Sequence, residues 1–136
     1  MPYRYLDHTA DLGIEVEAPS IEELFIDTAK AIFETQIDGA ILENKELTFE
    51  ISSVSLEELL IEWCRELIYN FSVNGFIPAV YKVEIKPDYK LKAFLKGDIF
   101  TSGRHRIKLE VKNATYHNLF IQRKDDLYHA RIIFDV

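Results

Sequence analysis

The chain has 136 residues, 48% of them apolar and 29% charged, the size and make-up of one globular domain over residues 1–136 rather than of a collagenous, linker-like or disordered chain. No window approaches the ~18 uninterrupted apolar residues of a membrane-spanning helix. A formal net charge of −7 argues against a general polyanion binder, because backbone-driven nucleic-acid affinity needs clustered Lys and Arg.

The charge is unevenly placed: residues 1–79 hold 4 Lys and Arg against 16 Asp and Glu, while residues 80–136 hold 12 against 7. Either the halves neutralise each other within one fold, or an acidic face is available to hold a cation or meet a basic partner. The single cysteine, Cys64, excludes an internal disulfide and a multi-thiolate zinc site. With no signal-peptide core in the opening MPYRYLDH, it points to a reducing, cytoplasmic setting.

Leu12, Ile14, Val16 and Ala18 alternate with Gly13, Glu15 and Glu17, the period-two pattern of a strand with one wet face. Pro19 ends it, and Ser20-Ile-Glu-Glu23 has the capping-box spacing of a helix start. The spacing predicts a helix over 20–37, with Ile21, Leu24, Phe25, Thr28, Ile32 and Phe33 on its buried stripe and Gly39 as a left-handed stop. Leu47, Phe49 and Ile51 restore strand alternation. Ser55-Leu-Glu-Glu58 opens a second helix over 55–73, apolar over a wide arc and ended by Asn74-Gly75; Trp63 and Cys64 are core within it.

From Val80 onward the pattern is strand. Tyr81, Val83 and Ile85 lead through a turn at Pro87-Asp88 to Leu91, Ala93 and Leu95, with Lys90, Lys92 and Lys96 on the other face. Ile107, Leu109 and Val111 predict a further strand with Lys108, Glu110 and Lys112 outward. Two more, near 118–122 and 128–134, are joined through Lys124-Asp125-Asp126. This order predicts an α+β fold: a two-layer domain whose largely antiparallel sheet is covered on one face by two helices.

No phosphate-binding glycine loop, paired cysteines, H-x-x-x-H or G-x-S-x-G occurs, so the usual motif routes to an enzyme are closed. Chemistry-bearing residues gather in three stretches: Asp7-His-Thr-Ala-Asp11, Val111-Lys-Asn-Ala-Thr-Tyr-His117 and Arg131-Ile-Ile-Phe-Asp-Val136. Strand parity turns Asp11 away from the core and sets Asp135 on the side of His129 and Arg131. There Asp135 adjoins the main-chain carboxylate of Val136, and adjacent anions repel unless a cation or donor lies between them. The bland alternative is an Asp-led turn before the first strand and a solvated Asp135 at a fraying end.

In these stretches the sequence resembles the archease family, small proteins that activate the GTP-dependent RNA-splicing ligase of the RtcB type. The resemblance rests on Asp7 through Val16, Ser20-Ile-Glu-Glu-Leu-Phe25, Val111-Lys112-Asn-Ala-Thr115-Tyr116-His117-Asn118 and Ile133-Phe134-Asp135-Val136. Asn113 departs from the family's Lys-Ala-x-Thr-Tyr-His form, while Lys112 and Thr115-Tyr116-His117 keep their spacing. The resemblance implies a protein activator rather than an enzyme, one that promotes guanylylation and multiple turnover of the ligase in tRNA splicing. It implies a divalent metal (Ca, Mg or Mn) at Asp11, Asp135 and the terminal carboxylate of Val136, and a partner-activating set of Lys112, His8, Tyr116 and His117. The implied partner is the ligase, through which tRNA would be met indirectly, with neither membrane nor DNA involved. Oxygen-rich anions at strand ends agree with hard-cation binding. A second reading is an RNA-binding chaperone or specificity factor for a tRNA-modifying enzyme, for which Arg104, His105, Arg106, Lys108 and Lys112 are the best support. A metal-dependent hydrolase lacks a visible nucleophile, and a general base beyond His8 and His117.

Overall fold

The computed structural model describes residues 3–6 and 11–136. In chain order the elements are β1 (Tyr3–Leu6), β2 (Asp11–Ala18), α1 (Ile21–Gln36), β3 (Ile37–Asp38), β4 (Lys45–Ser52), α2 (Leu56–Asn74), β5 (Phe76–Lys86), β6 (Lys90–Ile99), β7 (Arg106–Ile107), β8 (Asn113–Lys124) and β9 (Leu127–Asp135). Every strand pairing is antiparallel, giving the expected α+β class.

Both helices begin where the capping boxes lie. The Ser20 hydroxyl accepts the Glu23 N–H and the Ser55 hydroxyl accepts the Glu58 N–H, each at 3.1 Å, so a donor that no helical carbonyl can reach is satisfied. Gly75, with φ of +72°, stops α2 in the left-handed conformation. α1 ends at the expected place but not by the expected stop at Gly39: Ile37 leaves the helix in extended geometry and enters β3 directly. Gly39 serves a later close approach, since at φ of +118° an added Cβ would lie 2.2 Å from the Arg104 carbonyl oxygen.

The strands, expected in one sheet, divide into a four-stranded sheet in the order β1-β2-β9-β8, a three-stranded sheet β4-β6-β5 and a short β3-β7 ribbon. The composition of α2 supplies the reason. Leu59, Leu60 and Ile61 are consecutive and all buried, as are Trp63, Cys64, Leu67 and Ile68, so the helix is apolar over an arc too wide for one sheet to cover. Both helices accordingly touch both sheets: α1 packs on β2 and on β5, and α2 packs on β8 and on β4, β5 and β6. Trp63 joins the layers by donating its indole N–H to the Phe25 carbonyl at 2.8 Å, with its ring 5.8 Å from that of Phe49. The inner row Leu12, Phe134, Ala114 of the larger sheet and the rows through Leu91, Ala93 and Leu95 of the smaller one close the core.

Two hairpins form at the predicted turns. Asp88 and Tyr89 between β5 and β6, and Asp125 and Asp126 between β8 and β9, all have positive φ, the left-handed geometry tight hairpin turns require. The strand expected over Ile107, Leu109 and Val111 is reduced to β7. Gln36 at the end of α1 intercepts it, its main-chain carbonyl accepting the Lys108 N–H at 2.7 Å and its side-chain Oε1 accepting the Val111 N–H at 3.0 Å. Ile107 and Leu109 are therefore 48% and 37% exposed, while Val111 alone is buried.

Candidate functional site

The start of β2, the end of β9 and the start of β8 meet at one end of the larger sheet. Asp11 lies directly opposite Asp135, and Asp135 directly opposite Asn113 on its other side. Directly opposed residues of antiparallel strands point to the same face with Cβ atoms about 5 Å apart. The adjacent row, Leu12, Phe134 and Ala114, faces the core, so Asp11, Asp135 and Asn113 face away from it. Asp11 is half-buried and Asp135 exposed. Val136 follows Asp135, and the Lys112 N–H donates to the Asp135 carbonyl at 2.8 Å, which fixes the main chain of Lys112 to this corner while its side chain is exposed.

Two carboxylates opposed across a strand pair repel, and an oxygen-only donor set of this kind fits a hard divalent cation better than zinc or copper. Among the described residues no three His, Cys, Asp or Glu side chains gather as a full protein cage would need. Asp11 and Asp135 supply two side-chain carboxylates at this corner, fewer than such a cage needs.

Beside this corner β8 leaves the ladder. Thr115 pairs with Ile133 and Phe120 with Arg131, so the residues 116–119 stand opposite Ile132 alone. The resulting bulge carries Tyr116, His117 and Asn118, the last at φ of +53°. Tyr116 is anchored to α2: its hydroxyl donates to Glu58 Oε2 at 2.9 Å, its ring lies 5.3 Å from the Arg65 guanidinium, and Arg65 Nη2 donates to the Ala114 carbonyl at 3.1 Å. The bond to Glu58, with some burial and the same negative charge, raises the Tyr116 phenol above its ordinary pKa. His117 is exposed, its main-chain N–H reaching Thr115 Oγ1 at 3.3 Å. His8 and its neighbours Asp7, Thr9 and Ala10 lie outside the described residues.

Lys112 also borders a cleft of about 390 Å³ walled by Ile68, Phe71, Phe100, Ile107 and Val111. Gln36 lies at its base, with Nε2 buried and without a hydrogen-bond partner among the described residues. Nothing in the helical pattern distinguished Gln36, because its partners are more than 70 residues away in the chain. Farther along the outer face Glu15 joins two strands, accepting from Arg4 Nε at 2.6 Å and from Arg131 Nη2 at 3.0 Å. Burial would raise the Glu15 pKa; the bonds from Arg131 and Arg4 outweigh it and hold the carboxyl below its ordinary value.

The basic cluster offered for an RNA footprint is partly engaged within the fold: His105 is buried, and Arg104 and Arg106, though exposed, each meet an acid. Arg104 Nη2 is 2.9 Å from Asp98 Oδ2, and Arg106 reaches Asp38 at 3.2 Å. The His105 ring is buried, its Nδ1 accepting the Thr101 N–H at 3.0 Å and its Nε2 lying 2.8 Å from the Ala40 carbonyl, to which it donates. Lys108 and Lys112 remain exposed.

Antiparallel sheets shared by two capped helices, with a carboxylate pair and an anchored bulge at one sheet corner, define a small α+β protein whose candidate site is assembled from strand ends. The sequence profile of the Archease protein family (MTH1598/TM1083) matches residues 3–136. Protein archease of Methanopyrus kandleri is 31% identical over 140 residues, covering 100% of both chains, and that of Sulfolobus acidocaldarius is 32% identical, covering 98% of each. The solution structure of Methanobacterium thermoautotrophicum protein 1598 superposes with a TM-score of 0.86 at 30% identity, covering 99% of each chain. A Thermotoga maritima archease, described as a possible chaperone, shares the fold with a TM-score of 0.68 at 22% identity, covering 96% of this chain and 94% of its own. The chain belongs to the archease family.

Proposed function

We propose that this protein activates a GTP-dependent RNA-splicing ligase of the RtcB type, promoting guanylylation of the ligase and its multiple turnover in tRNA splicing, in the cytoplasm. The full-length family match carries this reading. The sheet corner supplies its chemistry. Asp11, Asp135 and the terminal carboxylate of Val136 hold a divalent cation, Ca, Mg or Mn, whose chemical contribution is to draw anionic oxygens of the partner or its nucleotide to this corner. Lys112, fixed by its main-chain bond to Asp135, extends a cation toward the same anions, and Tyr116 and His117 meet the ligase beside it, with His8 assigned to the same activating set by the family resemblance alone. Glu58 and Arg65 hold Tyr116, so the bulge meets the ligase already ordered.

Calorimetric titration of the metal into the parent chain, Asp11→Ala, Asp135→Ala and a chain extended by a few residues beyond Val136 tests the site. The proposal expects weaker metal binding in all three variants with the unfolding temperature of Asp135→Ala and of the extended chain preserved. Unchanged affinity in both the extended chain and Asp135→Ala would remove the site.

A further inference from the structure

The smaller sheet presents its β4-β6-β5 face away from the helices, and its register sets out what that face carries. The outward rows are Glu46, Lys96 and Val80; Thr48, Phe94 and Lys82; Glu50, Lys92 and Glu84; and Ser52, Lys90 and Lys86. All twelve side chains are exposed, whereas the intervening Leu91, Ala93 and Leu95 are buried. On a molecule of net charge −7, this face holds five lysines against three glutamates, with the glutamates mostly on the β4 edge.

Phe94 stands at the centre, 39% exposed on the middle strand. Lys92 and Lys96 lie two residues away on either side along β6, about 7 Å each, and Lys82 lies directly opposite on β5. Thr48 lies directly opposite on β4. Lys82, Lys90 and Lys96 make no ion pair among the described residues, and Lys92 meets Glu50 only at 3.8 Å with both side chains mostly exposed, a weak pair that an anion could displace. A partly exposed aromatic ring on a central strand, with three lysines at neighbouring register positions, has the chemistry of a base-stacking platform with phosphate contacts around it.

We propose that this face binds single-stranded RNA, stacking one base on Phe94, setting phosphates on Lys82, Lys92 and Lys96, and placing the Thr48 hydroxyl within reach of a ribose 2′-hydroxyl. Single strands are required because a base must leave its neighbours to lie on the ring. The face is on a different sheet from the Asp11 and Asp135 corner, and the proposal does not depend on the ligase reading. It gives the chain a direct RNA contact through residues other than the Arg104 to Lys108 loop.

Fluorescence anisotropy with a labelled oligoribonucleotide of about 12 nucleotides, in the absence of any ligase, tests it. With about three phosphates engaged, raising salt from about 50 to about 200 mM should weaken binding about 20-fold. Phe94→Leu keeps the apolar area but removes the π-face and should weaken binding about fivefold or more. Lys82→Glu with Lys96→Glu should abolish most of the salt dependence, while thermal unfolding of each variant stays near that of the parent. Four results would overturn the proposal: no salt-sensitive binding, RNA affinity unchanged in these variants, equal affinity for single-stranded DNA of the same sequence, or competition by polyglutamate as strong as by RNA.

Discussion

Asp98 is the most heavily used carboxylate among the described residues. It accepts from the Leu42 N–H at 3.1 Å, the Ile99 N–H at 2.8 Å and both Nε and Nη2 of Arg104, tying the segment after β3 to the end of β6. Burial would raise its pKa; the Leu42 N–H, the Arg104 guanidinium and the Ile99 N–H together hold it below the ordinary carboxylate value. Such a group contributes stability that is fully present above the pKa of the unfolded chain and is lost as pH falls through the lower folded value. Unfolding temperature followed from neutral pH to below about pH 4 should therefore fall more steeply for the parent than for Asp98→Asn, which starts lower and lacks that proton-linked loss. Equal slopes would contradict the assignment. Gly39→Ala should destabilise by about 1 to 3 kcal/mol in denaturant unfolding, since the strained φ coincides with contact against the Arg104 carbonyl. Strand parity made the outward placement of Asp11 and Asp135 readable. It could not reveal Asp98 or His105, whose burial depends on partners such as Leu42 and Ala40, 56 and 65 residues distant.

Elements with local signals are the ones the sequence describes well. Capping boxes placed both helix starts, and Asn74-Gly75 and Asp125-Asp126 placed a helix end and a hairpin, because each depends on residues only a few positions apart. Ser55→Ala should cost about 1 kcal/mol of stability, read by denaturant unfolding. The segment 107–111 misled because Gln36 satisfies backbone donors of a segment distant in sequence, and alternation cannot announce that. The bulge in β8 was also hidden: a strand was expected only near 118–122, and no local signal marked the earlier start of β8 at Asn113 or the positive φ of Asn118. Tyr116→Phe removes the bond to Glu58 and keeps the ring on Arg65. Stability should change by less than about 1 kcal/mol, whereas ligase stimulation should fall if an ordered bulge is needed. Unaltered stimulation would remove Tyr116 from the activating set.

Across the whole molecule, two sheets share one pair of helices, and the hinge of that arrangement is Trp63. Its side chain is fully buried, donates to the Phe25 carbonyl and lies against Phe49, so Trp63→Ala should cost about 3 to 5 kcal/mol and lower the unfolding temperature sharply. The wide apolar arc of α2 contained the information that the helix is covered on more than one side. Dividing the strands between two sheets needs the pairing partners, which periodicity does not supply. Charge shows the same limit: the basic half of the chain is visible in composition, but only the fold separates Arg104 and Arg106, paired with acids, from the lysines left outward on β6.

The central claim is activation of a partner ligase, and one measurement addresses it directly: ligase guanylylation with GTP and a divalent metal, with and without this protein. The account predicts that the protein increases guanylylation and sustains repeated turnover, and that Lys112→Ala and Asp135→Ala lose this effect while unfolding within about 0.5 kcal/mol of the parent. Guanylylation at the same rate with and without the protein would contradict it.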